Sequence, residues 1–402
     1  MNPDPALFQA AAEGHLSAAL ELLRELVAVN SFTTNAGGVE EVARITAAAF
    51  APLGFHADYV PCPYPGAGPH LFLSRSGEGD PIVLVTHSDT VFPPEEEIQN
   101  LFHWEERPDE GRIYGPGTID NKGGTALIWL MLQSVREAAP DFFNRTSWLI
   151  ASNAAEEITG DHFARVTEQH CGGKARAVLV FEGGPVDEQG WHIVTSRKGR
   201  STWKLHAEGK AAHAGSKHHD GINAIDALAP LLPPIAAQTN PSEDRTVNLG
   251  VIQGGTVVNR VPHEATAEWE CRATSPASLK RADDFFEGLS GTAANGAKLT
   301  AVRTGYTAPW PGGTPSETLY ALWQQAAAAI SLATVAVPRG GLSDANHLSH
   351  LGPTLDGLGP FGGNAHCSER SDDGSKLPEF VEPASLVKKA VMNALALVRL
   401  GE

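Results

Sequence analysis

Apolar residues recur at helical spacing through 14–29, where Leu16, Leu20, Leu23 and Val27 share one face, and the pattern returns over Val39–Leu53 among several alanines. The chain is therefore expected to open with two helices. Beyond them the rhythm changes. Short runs of Val, Ile and Leu at Ile82–Thr86, Trp148–Ala151 and Ala177–Phe181 carry few polar residues, as strands buried on both faces do. Helical stretches at Thr125–Glu137 and Asp161–His170 separate them. The alternation predicts an α/β layer whose chemistry sits at strand C-termini.

From about Ser201 the order becomes strand (Thr202–Ala207), helix (Ile222–Ala237), strand (Thr246–Ile252), strand (Ala265–Arg272), helix (Pro276–Leu289) and strand (Lys298–Thr304). A βαββαβ succession is the split ferredoxin-like arrangement, and it reads as a self-contained insert. After Tyr306 the Pro- and Gly-rich stretch TAPWPGGTPSETLY leads back to a helix (Ser316–Ile330), a strand (Thr334–Val337) and a last helix (Pro383–Leu400). Expected boundaries are 1–198 and 306–402 for the outer domain and 199–305 for the insert.

Composition narrows the function classes. With 47 acidic against 30 basic residues and a net charge of −17, the chain lacks the clustered cations that a phosphate backbone or an anionic membrane requires. Four cysteines, Cys62, Cys171, Cys271 and Cys367, are dispersed without a CxxC pair, so neither a disulfide framework nor a thiolate zinc knuckle is indicated. No uncharged apolar run reaches the length of a membrane span, and the first residues lack a basic stretch followed by an apolar one. A cytoplasmic setting is the expectation.

Candidate chemistry lies at the ends of the buried runs. VLVTHSD places His87 and Asp89 two positions apart on one face of an extended chain, where the acid can orient an imidazole that binds a metal. GPGTIDNKGG sets Asp120 in a glycine-flanked turn before a helix, either a helix cap or a carboxylate shared between cations. NAAEEI delivers Glu156 and Glu157 directly after a buried strand, where adjacent carboxylates repel unless a cation or proton lies between them. AVLVFEGGP ends a buried run in Glu182, and GLGPFGGNAHCSE carries His366 in a glycine-rich loop. Any one of these has an ordinary structural explanation, but together they favour a metal site. Imidazole with carboxylate and no thiolate suits Zn²⁺, with Mn²⁺ or Co²⁺ as alternatives. The donor set is too large for one tetrahedral ion and fits two ions roughly 3.5–4 Å apart.

In motif order and in the interrupted catalytic domain, the chain resembles the di-zinc amidase family of glutamate carboxypeptidase, aminoacylase, acetylornithine deacetylase and succinyl-diaminopimelate desuccinylase. The glutamate carboxypeptidase branch is nearest. The resemblance implies a catalytic domain with a mixed sheet flanked by helices, interrupted by a ferredoxin-like α+β domain serving as lid and dimerisation surface. It implies two Zn²⁺ held by His87, Asp120, Glu157, Glu182 and His366, with Asp120 bridging. Glu156 is then the general base acting on a water between the ions, and Asp89 orients His87. In the insert, GKAAHAG and GGTVVNRVPHEATAEWECR supply His213 for the oxyanion, often across a dimer, and Asn259 with Arg272 for the substrate carboxylate. The implied activity is hydrolysis of a peptide or N-acyl bond to an amino acid with a free carboxylate, by a homodimer without nucleic-acid or membrane partners.

Other classes fit less well. No GxSxG elbow, Walker loop or HExxH helix occurs. The spacing Gly357, Gly359, Gly362 mimics a dinucleotide loop but contains Pro360 and is followed by GGNAH rather than a helical run. A catalytically silent metal-binding protein has no use for Glu156 beside a full ligand set. An N-acyl amino acid deacylase shares the motifs and remains the alternative within enzymes. The segment GGLSDANH, Asn121, Lys198 and Cys367 receive no role from the sequence.

Overall fold

The first helix begins earlier than its apolar spacing suggests. In a computed structural model that describes residues 3–401 it spans Pro5–Val27, because Pro5 occupies the first turn and the Asp4 side chain accepts the Ala6 N–H. The second helix, Ala36–Phe50, is capped by Asn35. The chain divides into two units, one of Met1–Thr195, Gly312–Val337 and Ser343–Glu402, the other of Ser196–Pro311 with Pro338–Leu342.

In the first unit the buried runs become the centre of a six-stranded mixed sheet. Glu78–His87 lies parallel to Thr146–Asn153 on one side and to Ala177–Val180 on the other, and Thr354–Leu355 extends the parallel part. An antiparallel pair not expected from the sequence, His56–Pro61 with Pro69–Arg75, completes the other edge. The register sets Thr86 beside Ser152, His87 beside Asn153 and Val85 beside Val180, so three parallel strands end nearly level. Their apolar side chains, with Trp148, Trp323, Met131 and Leu395, form the core beneath that edge. The helix Lys122–Ala138 packs close to it: a Cβ at Gly124 would come within 2.0 Å of Asn121 Oδ1 and 2.4 Å of the Phe181 carbonyl oxygen.

The second unit pairs its strands in the order Thr246–Gly254, Glu264–Ala273, Gly199–Glu208, Lys298–Thr307, with Gly291–Thr292 at the far edge. This is the ferredoxin-like order expected. The helix expected over Ile222–Ala237 is instead three short pieces, Ala224–Leu228, Ala229–Leu231 and Leu232–Ala236. Pro230, Pro233 and Pro234 lack the N–H groups that would join them. Trp203, Trp269 and Phe286 are central to this unit's core.

Candidate metal centre

Level strand ends bring together side chains that are far apart in sequence. His87 ends its strand, the turn after Asn153 carries Glu156 and Glu157, and Glu182 follows Phe181. Asp120 enters from the turn ahead of the helix Lys122–Ala138, and His366 from the loop between Gly363 and Phe380. His87, Asp120 and Glu182 each offer a ligand atom within 4.8 Å of the others, and so do Asp120, Glu157 and His366. Asp120 belongs to both groups. Its Oδ1 is 2.8 Å from His87 Nε2 and its Oδ2 is 3.2 Å from His366 Nε2, so its two oxygens face opposite ways. His87 Nε2 is also 3.7 Å from Glu182 Oε1, and His366 Nε2 is 3.3 Å from Glu157 Oε2.

This donor set fits cations. His87 Nδ1 donates to the Asp89 carbonyl oxygen at 3.1 Å, which directs the lone pair of the neutral ring, on Nε2, towards Asp120 and Glu182. A lone pair facing two carboxylates is repulsive unless a proton or a metal intervenes. With protons alone, burial works against the charged His87 ring, yet Asp120 and Asp89 hold it protonated well above its ordinary range. Hydrogen bonds to Asp120 and Glu157 push His366 up to about 10. Burial raises Glu157, whose Oε1 has no hydrogen-bond partner. The cluster thus carries more negative charge than its own protein groups neutralise.

The turn that presents the paired glutamates is fixed from two sides. Asp89 is fully buried, and its carboxylate accepts the Glu156 N–H at 3.1 Å, the Glu157 N–H at 3.3 Å and the Thr33 hydroxyl at 2.7 Å. Its Oδ1 is 3.3 Å from His87 Nδ1, so the same carboxylate also faces the ring that the sequence paired with it. On the other side the Asn153 carbonyl oxygen accepts the N–H and hydroxyl of Ser88, while the Asn153 side chain accepts the Ala155 N–H and donates to Asp344. Burial lifts Glu156 well above the ordinary carboxyl range, with Glu182, Asp344 and Glu157 adding and His87 opposing. That direction is the one a carboxyl needs to take up and hold a proton.

Several supporting residues escaped the sequence. Asn121 Nδ2 donates to Glu182 Oε1 at 3.1 Å and orients it. Asp344, in the unassigned GGLSDANH, is 2% exposed and is pushed up to about 7, chiefly by burial. An acid within a glycine-rich stretch was the available signal. Thr33 and Glu379 lie in segments with no pattern to mark them.

The insert's candidates occupy the second unit. His213 Nδ1 accepts the N–H groups of Gly215 and Ser216, so the neutral ring carries its proton on Nε2, and the ring is exposed. Asn259 is exposed next to it in the fold, its carbonyl oxygen accepting the Ala214 N–H. Arg272 forms two hydrogen bonds to Glu270, at 2.9 and 3.1 Å, and one to the Gly340 carbonyl oxygen. Lys198 pairs with Asp244 at 2.7 Å. No helix among the described residues is long and apolar enough to cross a membrane.

Residues 195–296 match the peptidase dimerisation domain of the M20 family. The chain is 26% identical over 270 residues to carboxypeptidase G2 of Pseudomonas sp. (strain RS-16), an alignment spanning 67% of this chain but only 63% of that enzyme. It is 25% identical over 395 residues to the succinyl-diaminopimelate desuccinylase of Stenotrophomonas maltophilia (strain R551-3), covering 94% of this chain and 100% of that one. Among solved structures, the aminopeptidase PepT from Bacillus cereus superposes with a TM-score of 0.75 at 20% identity, over 96% of this chain and 99% of its own, a likeness of fold. The chain therefore carries an M20 peptidase dimerisation domain within a sequence whose relatives are metallopeptidases and related amide hydrolases.

Proposed function

We propose that this protein hydrolyses an amide bond whose amine side is an amino acid with a free carboxylate, acting as a carboxypeptidase, with a C-terminal glutamate as one candidate residue. The observation that carries the reading is the sharing of Asp120 by two donor groups, with Glu156 directly preceding Glu157 in the same turn. His87, Asp120 and Glu182 would hold one divalent cation and Asp120, Glu157 and His366 the other. Zinc is the first choice for imidazole and carboxylate without thiolate, with cobalt or manganese as substitutes. When bound, the pair would polarise the scissile carbonyl and make water acidic enough to deprotonate near neutral pH.

The remaining work falls to the chain's own groups. Glu156 takes a proton from the attacking water as its oxygen bonds to the carbonyl carbon. It returns that proton to the nitrogen as the C–N bond breaks, leaving a carboxylic acid product and a free amine. Asp89 keeps the backbone of both glutamates in place and, through His87 Nδ1, the ring orientation. His213 offers an N–H donor on Nε2 for the oxyanion, worth about 3 kcal/mol where such donors are preorganised. Arg272 and Asn259 are assigned to the substrate carboxylate, for which a planar guanidinium is well shaped. The match to a dimerisation domain supports a homodimer formed through the insert.

Deacylation of N-acyl amino acids is the second reading, favoured by the full-length similarity to succinyl-diaminopimelate desuccinylase. A panel of N-acetyl amino acids, dipeptides and N-acyl or N-aryl glutamates, assayed with and without a chelator, separates the two. Cleavage of none of them, or cleavage unaffected by thorough demetallation, refutes the proposal.

A further inference from the structure

Outside the proposed ligands and base, one buried acid touches the centre from a direction the sequence does not reveal. Glu379 is 0% exposed and precedes the short strand Phe380–Val381. Its Oε1 accepts the N–H of Ile119 at 2.9 Å and of Asp120 at 3.1 Å, the two amides that lead into the shared carboxylate. Its own N–H donates to the carbonyl oxygen of Cys367, the residue after His366, at 2.8 Å, and its carbonyl oxygen accepts the Gly115 N–H at 3.2 Å. One residue therefore joins the start of the Asp120 turn, its end, and the loop that carries His366.

The Asp120 turn needs such a support. Buried amides without an acceptor cost the desolvation of each N–H, and a chain free to relax would turn them towards another acceptor. Ile119 also packs against the segment after Glu182: a Cβ at Gly183 would lie 2.9 Å from Ile119 Cγ1, so a shift of the turn is felt there too. His366 has a left-handed backbone, with φ 67, which a non-glycine residue holds only where its surroundings impose it. The Glu379 N–H bond to Cys367 is one of those constraints.

We propose that Glu379 is a positioning residue for the paired-cation centre, setting the distance between Asp120 and His366 by holding the Asp120 amide with its buried side chain and the residue after His366 with its own backbone N–H. This rests on the reading of Asp120 and His366 as ligands. What matters is reach: the carboxyl must span two adjacent amides while its own backbone stays bonded to Cys367.

Reach and acidity can be separated by two conservative variants. Glu379→Gln keeps the length and an acceptor oxygen but loses the acid, whereas Glu379→Asp keeps the carboxyl and is one methylene too short. The chain is stripped by chelator, its fold checked by circular dichroism, and Zn²⁺ and Co²⁺ affinities are measured by competition with a chromophoric chelator, alongside the visible spectrum of bound Co²⁺. Glu379→Gln is expected to stay within about threefold of the unaltered chain. Glu379→Asp is expected to bind about 10- to 100-fold more weakly, the range for loss of groups that orient metal ligands, with an altered Co²⁺ spectrum. The reverse ranking, or two variants with unchanged affinity and spectrum, overturns the proposal while leaving the metal centre standing. Failure of the unaltered chain to bind about two ions overturns the metal reading and this inference with it.

Discussion

Replacing Asp89 by asparagine tests how the glutamate turn is held, because the carboxylate is wholly buried and accepts three hydrogen bonds. Oδ1 receives the Glu156 N–H and faces His87 Nδ1, while Oδ2 receives the Thr33 hydroxyl and the Glu157 N–H. An asparagine must put its NH₂ at one of these positions. The less costly choice is Oδ2, since the Thr33 hydroxyl can rotate to accept, but the Glu157 N–H is then left facing a donor. Losing one hydrogen bond to a charged acceptor and stranding its buried partner costs about 1.5–3 kcal/mol. Removing all three bonds in Asp89→Ala costs about 3–5 kcal/mol, as for other broken buried networks. If the asparagine's cost appears in ion binding, it weakens affinity by roughly 10- to 100-fold, at about 1.4 kcal/mol per tenfold. His87 should keep its tautomer, because Nδ1 still has the backbone carbonyl of residue 89. The assay pairs calorimetric melting of the stripped protein with Zn²⁺ competition, using Thr33→Val, expected to cost about 1 kcal/mol, as the control. Asp89→Asn with unaltered melting and affinity would refute this account of the turn.

Three further predictions can be checked independently. Glu156→Gln should retain both ions and lower turnover by about 10²–10⁴-fold, the usual contribution of a general base; metal analysis showing lost ions would reassign it as a ligand. Arg272→Ala should raise KM for substrates with a free α-carboxylate far more than for their amides, and an equal loss on both would remove it from substrate binding. Lys389 is 0% exposed and donates to the Gly357 carbonyl oxygen at 2.9 Å, and burial lowers it from the usual 10.5 to about 7. Because the unfolded chain keeps a proton that the folded chain has released, stability should rise as pH climbs from about 7 towards 10.5 and fall on return to neutrality, by up to roughly 1.4 kcal/mol per pH unit. Urea unfolding at pH 7 and 9.5 should show this gain in the unaltered chain and not in Lys389→Met, and parallel behaviour of the two would contradict it.

The sequence by itself determined the elements and the ends at which chemistry could sit. Runs such as Ile82–Thr86 and Ala177–Phe181 are too apolar to be anything but buried, and an acid or histidine directly after such a run must lie at a strand end. Three of the five proposed ligands, His87, Glu157 and Glu182, follow from that rule. Asp120 and His366 lie in glycine-rich loops, where period carries no information; their motifs marked them as candidates, and their place in the ligand set came from resemblance to a family. Helix boundaries were legible where a cap or proline marked them, as at Pro383–Leu400, and misread at Ile222–Ala237, where prolines divide a continuous apolar pattern. Only tertiary structure decided that the two oxygens of Asp120 face different histidines, and that Asp89 supports Glu156 and Glu157 as well as His87. It alone showed Asn121, Asp344 and Glu379 braced against the centre. Periodicity reports which face of an element is buried, whereas a hydrogen bond between residues 120 and 379 depends on strand register and loop path, which the whole core sets.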